Sequence, residues 1–416
     1  MKRKVYFPYY LLVVLSILIY SCQKENESEF EWSENMVIDN ETIGNLHTKI
    51  PENKRDGIIS LKITGYINSV DFEFLNNLIK SYTLKKLDIS EVYIFEAMIP
   101  DNAFAGCTNL EEIILPKIDI ETIGIRAFYG CSNLESIVLP EQTKYIKESA
   151  FESCSKLYEI KIPSEVKKIE AKAFCYCKSL TTLDIPEEIR EINEYTFGDC
   201  RALKEITIPK GITKIERTAF LNCISLERLV FENSNLIIDL GDEYNFNCLF
   251  ECPVKEIYVG RNIPLKLFSN NDSVEKVNIG GNVSFIDNWA FYCKNLKEVI
   301  IGNNVYGIGE YSFISKSLNS IKLSDNLQII GNMSFNETNI EEIHLPSTLS
   351  KIGDYVFEES PNLKKIYIYN LTPPSVGEGS FKDALNNNCE LYVPLNSLEA
   401  YKNDIFWKNF INIIPM

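Results

Sequence analysis

The chain has 416 residues, of which 45% are hydrophobic and 24% are charged, a composition that excludes an intrinsically disordered protein. Its 42 basic and 58 acidic side chains give a formal net charge of -16. So acidic a surface is repelled by nucleic acid and by anionic membranes, and the sequence predicts neither as an electrostatic partner. The charge is typical of a long soluble surface, and an acidic site for a basic partner is the alternative.

The first 21 residues have the pattern of an export signal. A basic start, Lys2-Arg3-Lys4, precedes a short apolar stretch from Leu11 to Ile19, which is too short to span a bilayer. The following Ser21-Cys22 resembles a bacterial lipobox, although Tyr20 is bulkier than is usual there. We therefore predict a lipoprotein signal peptide at 1–21 and lipidation of Cys22, with an ordinary secretory signal as the alternative. No later stretch is apolar for about 18 residues, so the lipid anchor is the only membrane attachment predicted.

Residues 22–37 form a polar, acidic segment without core-forming composition, which predicts a tether. An acidic run directly after the lipid-bearing cysteine is similar to the signal that sends some Gram-negative lipoproteins to the outer face. The predicted location is therefore the outer membrane, with the protein exposed at the cell surface; a periplasmic orientation stays open.

A repeat of 22 to 24 residues dominates the rest of the chain. Phenylalanine recurs at positions 104, 128, 151, 174, 197 and 220, and again at 291, 313, 335 and 357. In the first series a cysteine follows each phenylalanine by three residues and a leucine follows by six. The unit reads Ala-Phe-x-x-Cys-x-x-Leu-x-x-Ile-x-Ile-Pro.

The spacing predicts a β-rich solenoid built from short parallel strands. In Leu-x-x-Ile-x-Ile the two isoleucines are two residues apart and therefore point to the same side of a strand. One such strand cannot bury its apolar side alone, but stacked repeats place a parallel neighbour about 4.8 Å away. The proline or glycine after each strand ends it and turns the chain.

The repeats divide the chain into regions. The solenoid is predicted at 101–385, with an irregular stretch at 232–273 that either bends the stack or carries a loop. Residues 38–100 are predicted as an N-terminal cap with entry repeats, including a helix from Asp71 to Ser81. Residues 386–416 are predicted as a C-terminal cap, with a last strand in 389–394 and a plug of Tyr401, Trp407 and Phe410.

The unit resembles that of the BspA-like leucine-rich repeat family of bacterial surface proteins, and the ending Leu391-Tyr392-Val393-Pro394 is similar to that family's ending. The resemblance covers roughly residues 55–416. It implies a curved leucine-rich repeat solenoid, often on lipoproteins of host-dwelling bacteria, and for some members adhesion to host proteins or to other cells. It does not imply a particular ligand.

The cysteines are predicted to be structural. Eleven remain besides Cys22, and most recur at the repeat period, where a small, weakly polar side chain fills a buried turn. Disulfides are the alternative in an exported protein. Cys175 with Cys177, and Cys248 with Cys252, are interpreted as lying out of register. No cluster has the spacing of zinc ligands, so no metal and no cofactor are predicted.

No catalytic residue is predicted. The only two histidines, His47 and His344, lie in different regions, and the motifs of hydrolases, zinc proteases and nucleotide-binding loops are missing from the sequence. A pair of glycosidase carboxylates is possible in so acidic a chain, but a solvated surface explains the acids more simply.

Strand alternation predicts a binding face, because the residues flanking each inward isoleucine point outward. The residue before it is polar throughout the repeats, and the residue after it is often apolar or aromatic. Aromatic and arginine side chains dominate most protein contacts. The candidate partner-binding residues are therefore Arg228, Tyr258, His344 and Tyr367, and a merely solvated sheet is the alternative.

The predicted function is binding of a macromolecular partner at the cell surface, in adhesion to host or neighbouring-cell proteins. Capture of a glycan is a second possibility, and a structural coat protein without a discrete ligand is a third. The partner would be an extracellular protein or a glycan, and the chain is expected to be a monomer.

Overall fold

The computed structural model describes residues 35–117, 119–239, 251–262 and 268–416. The predicted signal peptide, Cys22 and all but the last three residues of the predicted tether lie outside the described residues. The described chain is a stack of repeats with two walls of parallel strands, here called the front sheet and the back wall.

The front sheet is formed by the Leu-x-x-Ile-x-Ile segments, whose strands pair in parallel with the strands of the neighbouring repeats. Its first strands are β1 (Asn35–Asn40), β2 (Ser60–Ile67), β3 (Lys86–Ile94), β5 (Glu112–Ile114), β7 (Ser136–Val138) and β9 (Glu159–Lys161). The middle strands are β12 (Glu205–Ile208), β14 (Arg228–Phe231), β15 (Glu256–Val259), β16 (Lys276–Ile279), β18 (Glu298–Ile301) and β20 (Ser320–Lys322). The last strands are β22 (Glu342–Leu345), β24 (Lys365–Ile368), β26 (Glu390–Val393) and β27 (Asn412–Pro415).

The back wall consists of two-residue strands. Each is formed by the isoleucine, or its equivalent, that lies between the Leu-x-x-Ile-x-Ile segment and the next Ala-Phe, together with the residue before it. Its strands are β4 (Met98–Ile99), β6 (Thr122–Ile123), β8 (Tyr145–Ile146), β10 (Lys168–Ile169), β11 (Glu191–Ile192), β13 (Lys214–Ile215), β17 (Phe285–Ile286), β19 (Gly307–Ile308), β21 (Ile329–Ile330), β23 (Lys351–Ile352) and β25 (Ser375–Val376). The predicted solenoid of short parallel strands is thus confirmed.

The core between the two walls is built from ladders of identical side chains. The phenylalanine rings stack face to face, with 5.2 Å between the ring centroids of Phe128 and Phe151 and 5.5 Å between those of Phe151 and Phe174. All of these rings are buried, so each repeat removes a large apolar surface from water only when its neighbour is in place.

The cysteine ladder lies beside the phenylalanines, and seven of the described thiols donate to the phenylalanine carbonyl of the preceding repeat. The Sγ of Cys154 lies 3.1 Å from the carbonyl oxygen of Phe128, for example. The thiol of Cys107, in the first of these repeats, donates to the carbonyl of Asn76 instead. In the later repeats Ser360 takes this place and donates to the carbonyl of Phe335. All ten described cysteines are free and buried.

One interpretation of the cysteines was wrong. Cys177 and Cys252 were interpreted as lying out of register, together with Cys175 and Cys248. The Sγ of Cys252 nevertheless lies 3.0 Å from the carbonyl oxygen of Phe220, and that of Cys177 lies 3.2 Å from the carbonyl oxygen of Phe151, the contact that the other ladder cysteines make. Only one residue separates Cys252 from Val254, where the other repeats have two, and the local chain path absorbs the missing residue. Cys248 lies outside the described residues.

The irregular stretch leaves the front sheet intact and interrupts the back wall. Strands β14, β15 and β16 pair in an unbroken register, Arg228 with Glu256 and Glu256 with Lys276. In the described part of the back wall, β13 is followed only by a single bridge between Lys214 and Asp239 before β17 begins. The extra residues therefore leave the outward surface of the front sheet continuous.

The predicted helix is present as α2 (Ser69–Ser81), after the short α1 (Leu46–Lys49). It is not the terminal element, because β1 pairs with β2 and begins the front sheet at Asn35. A helical cap at this end is therefore not confirmed, and residues 35–37 of the predicted tether belong to a strand.

The other end contains α3 (Lys382–Asn386), α4 (Leu398–Asn403) and the last two front strands. Tyr401, Trp407 and Phe410 are buried there, and the indole Nε1 of Trp407 donates to the carbonyl of Pro374 over 2.9 Å. The aromatic side chains predicted to form a plug thus pack against the last repeats.

Candidate partner-binding site

The outward surface of the front sheet, called the front face, carries two columns of side chains. The first column holds the residue before the inward aliphatic of each strand, and the second holds the residue after it. The strand register places Arg228 beside Glu205 and Glu256 in the first column, and His344 beside Tyr367 in the second. All four candidate residues lie on this face.

Arg228 is engaged by its neighbours within the first column. Its guanidinium lies 2.9 Å from a carboxylate oxygen of Glu205 and 4.0 Å from one of Glu256. The bond with Glu205 raises the pKa of Arg228. A partner would have to compete with two carboxylates for this side chain.

Tyr258 is half-buried and held by a single bond. Its hydroxyl donates to Oδ1 of Asn233 over 3.0 Å. A Cβ atom at Gly280 would come within 2.5 Å of that hydroxyl oxygen, so glycine there makes room for the phenol. Tyr258 is therefore positioned by the fold, but no other aromatic ring of the described residues lies against it.

His344 and Tyr367 form the centre of a stack of rings. Their centroids are 4.4 Å apart and their planes are 4° from parallel. Tyr392 continues the stack on the other side of Tyr367, with centroids 4.6 Å apart. We call His344, Tyr367 and Tyr392 the aromatic stack.

The rings of this site are held in place by their own polar atoms. Nδ1 of His344 and the hydroxyl of Tyr369 are 2.9 Å apart. The hydroxyl of Tyr392 donates to a carboxylate oxygen of Glu390 over 2.9 Å, which raises the pKa of Tyr392. Rings fixed in this way lose little conformational entropy when a partner docks.

Exposed leucines follow the same strands. Leu371, after β24, is 68% exposed, and Leu395, after β26, is 66% exposed. Exposed apolar side chains therefore lie just beyond the strands that carry Tyr367 and Tyr392.

The structure brings together two of the four candidate residues. Arg228 on β14 is five strands from His344 on β22, which is about 24 Å at the spacing of neighbouring strands. Tyr258 is one strand nearer. These two residues share the face with the aromatic stack but are not part of the same contact area.

Tyr369 and Tyr392 were missed by the sequence analysis, although a signal for Tyr392 was present. Leu391-Tyr392-Val393 has the alternation of Ile366-Tyr367-Ile368, and the register pairs Tyr392 with Tyr367. Tyr369 follows its strand, where the repeat pattern says nothing about side-chain direction.

The comparisons with known proteins bear on this arrangement. A family described as the BspA type leucine rich repeat region (6 copies) matches over five overlapping stretches, residues 76–200, 121–251, 242–328, 261–389 and 307–413. The chain belongs to this family. The resemblance inferred from the Ala-Phe-x-x-Cys unit is therefore confirmed.

Solved structures of other bacterial leucine-rich repeat proteins are similar to this BspA-type chain. A leucine-rich repeat protein from Bacteroides ovatus ATCC 8483 is 25% identical, with 86% of this chain and 88% of that chain covered and a TM-score of 0.46. A leucine rich cell surface protein from Faecalibacterium prausnitzii A2-165 is 18% identical, with 86% of each chain covered and a TM-score of 0.29. No curated protein matches the chain significantly.

Within the described residues, no histidine, cysteine, aspartate and glutamate side chains group in threes as a metal site would require. In the same part of the chain, no helix has the length and apolar character to cross a membrane. The aromatic stack is thus the most distinctive chemical feature of the front face.

Proposed function

We propose that this BspA-type chain is a surface binding protein whose front face, centred on the aromatic stack, contacts a macromolecular partner. The stack itself carries the proposal. Three rings lie in contact on a half-exposed to exposed sheet surface, with two of their polar atoms already bonded. Preorganised aromatic side chains of this kind often provide most of a protein contact's free energy.

The partner proposed first is a protein, and the ring geometry favours it over a glycan. Sugars bind tyrosine and tryptophan through the flat ring face, whereas both faces of Tyr367 are covered by His344 and Tyr392. The ring edges and the Tyr367 hydroxyl are left for contact. Edges of aromatic rings suit aliphatic side chains and the faces of other aromatic rings, which proteins supply.

Export and anchoring are part of the proposal and are supported by the sequence alone. We propose that Cys22 is acylated and that the acidic residues after it lead to the outer face of the outer membrane. Metabolic labelling with radioactive palmitate tests the anchor: the natural chain should incorporate label and a Cys22→Ser variant should not. Whole-cell protease treatment tests exposure, and a protein protected in intact cells would contradict the proposed location.

The binding role is tested with the purified full-length chain on fibronectin, fibrinogen, intact host cells and a glycan array. A Tyr367→Ala/Tyr392→Ala double variant should bind its protein target at least about 10-fold more weakly, as expected when hot-spot rings are lost. Tyr145→Ala/Tyr176→Ala removes two exposed tyrosines that lie off the front face, and it should bind normally.

Three results would overturn this proposal. Equal binding by the double variant and the natural chain would show that the stack is not the contact. Binding to glycans alone would favour the glycan function, and binding to none of these targets would favour a structural surface protein.

A further inference from the structure

The basic residues of the front face differ in whether they are paired, and the difference concerns the aromatic stack. Seven basic side chains lie in the two outward columns, namely Lys62, Lys86, Lys161, Arg228, Lys276, Lys322 and Lys365. Five of them form ion pairs with acids of the same or a neighbouring strand or turn. Among the described residues, Lys322 and Lys365 make no ion pair within 4.0 Å.

Both unpaired lysines lie next to the aromatic stack. Lys322 occupies the second-column position in the repeat before His344, and the backbone of Asn339 bonds the carbonyl of Leu318 between these two repeats. Lys365 lies two residues before Tyr367 on β24. The stack is therefore flanked by two ammonium groups that the fold leaves available.

The uncharged polar atoms of the stack are donors as well. When the Tyr369 hydroxyl donates to Nδ1 of His344, the neutral ring carries its proton on Nε2. That atom is 3.8 Å from a carboxylate oxygen of Glu342, beyond hydrogen-bond distance. The hydroxyl of Tyr367 has no hydrogen bond among the described residues.

The acids near the stack balance its two lysines. Glu342 and Glu390 flank Lys365 in the strand register, and Glu390 accepts the hydroxyl proton of Tyr392. The immediate surroundings of the stack are therefore close to neutral in a chain whose net charge is -16. A carboxylate of a partner would meet less repulsion here than the net charge of the chain implies, beside two lysines without an ion pair among the described residues.

We propose that the aromatic stack recognises a protein segment that carries a carboxylate beside an apolar or aromatic side chain. This inference rests on the proposed binding function and specifies the chemistry of its partner. The apolar side chain would contact the ring edges of Tyr367 and Tyr392. The carboxylate would accept bonds from Lys322 or Lys365 and from the donors of Tyr367 and His344, bonds that are strengthened by charge.

The experiment is selection of a displayed library of random 12-residue peptides on the purified full-length chain. Peptides that also bind the Tyr367→Ala/Tyr392→Ala variant are removed by counter-selection. The retained peptides should be enriched in Asp or Glu next to Phe, Tyr, Trp or Leu. A synthetic form of the strongest binder and its Glu→Gln or Asp→Asn counterpart then serve as defined probes.

Affinity measurements with variants locate the charge contact. Lys322→Gln/Lys365→Gln should weaken binding of the acidic probe by about 5- to 20-fold, within the range of charged contacts at an exposed surface. The same substitution should change binding of the amide probe little. Lys276→Gln, which removes a lysine paired with Glu298 on the same face, is the matched control and should change neither.

The outcomes separate this inference from the function on which it rests. Retained peptides that are basic or neutral, or equal affinity of the lysine variants for the acidic probe, would overturn the carboxylate but leave the stack as a binding site. A selection that retains no peptide would count against both proposals.

Discussion

At the scale of single residues, buried polar groups tie distant repeats together, and Arg261 is the largest of them. Its side chain is 1% exposed, and its guanidinium donates to the carbonyls of Pro209 and Ile212, both over 2.8 Å, and to that of Glu232 over 3.3 Å. It thereby bridges turns that follow β12 and β14, in the part of the stack where the back wall is interrupted.

We expect Arg261→Met to lower the free energy of unfolding by about 2–4 kcal/mol, because methionine fills part of the space but removes the donor to three carbonyls. Of these, the carbonyl of Pro209 keeps a bond from the backbone N–H of Ile212. Urea unfolding measures the loss. Arg217→Met, at an exposed arginine two residues after Ile215, is the control and should change stability by less than about 0.5 kcal/mol. A loss no larger than that of the control would contradict the role assigned to Arg261.

The buried thiols of the cysteine ladder make the free energy of unfolding fall as the pH becomes alkaline. Burial raises the pKa of Cys107, Cys293 and Cys389 from the ordinary 9.0 to about 12. Burial also raises the pKa of Cys154 and Cys200. Above pH 9 the unfolded chain loses thiol protons that the folded chain keeps. The stabilisation is therefore complete below pH 9 and is lost as the pH rises toward 12.

We accordingly predict that the urea midpoint falls between pH 9 and pH 11, and that iodoacetamide at pH 8 labels the ladder cysteines only in denaturant. A Cys154→Ala variant should show a shallower fall, since one titrating thiol is gone. Rapid alkylation of the native chain at Cys154 would contradict the buried, reduced ladder.

Residue-scale features were predictable where the repeat itself determines them. The period places the ladder cysteines of the regular repeats but not Cys252, and it places Tyr392 beside Tyr367 once the last strand is included. It could not show that Arg228 is occupied by Glu205 and Glu256, because a column gives the position of a side chain but not its rotamer. Arg261 escaped prediction because the irregular stretch has no repeat to align.

At the scale of elements, helix α2 is joined to the chain before it by one carboxylate. Asp71 is buried and accepts from the backbone N–H of Gly44, Leu46 and Asn68 at 2.8, 3.0 and 3.2 Å. Asn68 in turn caps the helix by accepting from Val70 and Asp71. This capping box fixes both the start of α2 and the entry into the first repeats.

Asp71→Ala should therefore destabilise the N-terminal repeats by about 2–3 kcal/mol, since three backbone donors lose a charged acceptor. Thermal unfolding followed by circular dichroism measures the change. Glu73→Ala, an exposed acid of the same helical turn, is the matched control. Equal stability of the two variants would show that the carboxylate does not join the helix to the preceding loop.

The elements were predictable to different degrees for a physical reason. The same Leu-x-x-Ile-x-Ile pattern recurs in every regular repeat, so the strands of the front sheet could be predicted from the repeat period. Strand β1 is a single apolar alternation with no repeat around it, and the polar composition before it led to the interpretation as a tether. The position of α2 followed from helical spacing, but only the pairing of β1 with β2 shows that the helix is not terminal.

At the scale of the whole molecule, the described part of the ring stack comprises two runs, here called blocks. Stacked phenylalanines run from Phe104 to Phe220 and from Phe268 to Phe381. Phe268, the first ring of the second block, also has an edge contact with Phe231, with centroids 6.0 Å apart. Contacts in a solenoid are between neighbours, so a substitution should affect its own block most.

Phe151→Ala should lower local stability by about 3–5 kcal/mol, and hydrogen exchange should rise most in the first block. Phe335→Ala should raise exchange most in the second block. A uniform rise along the chain after either substitution would indicate one cooperative unit and would contradict the two-block account.

The central claim is that the aromatic stack touches the partner, and site-specific photocrosslinking tests it most directly. The photoreactive residue p-benzoylphenylalanine replaces Tyr367 or, as an exposed control off the front face, Tyr176. Each protein is irradiated with a mixture of host extracellular proteins or with intact cells. The account predicts a discrete adduct from position 367 and none from position 176; adducts from 176 alone, or none from either position, would contradict it.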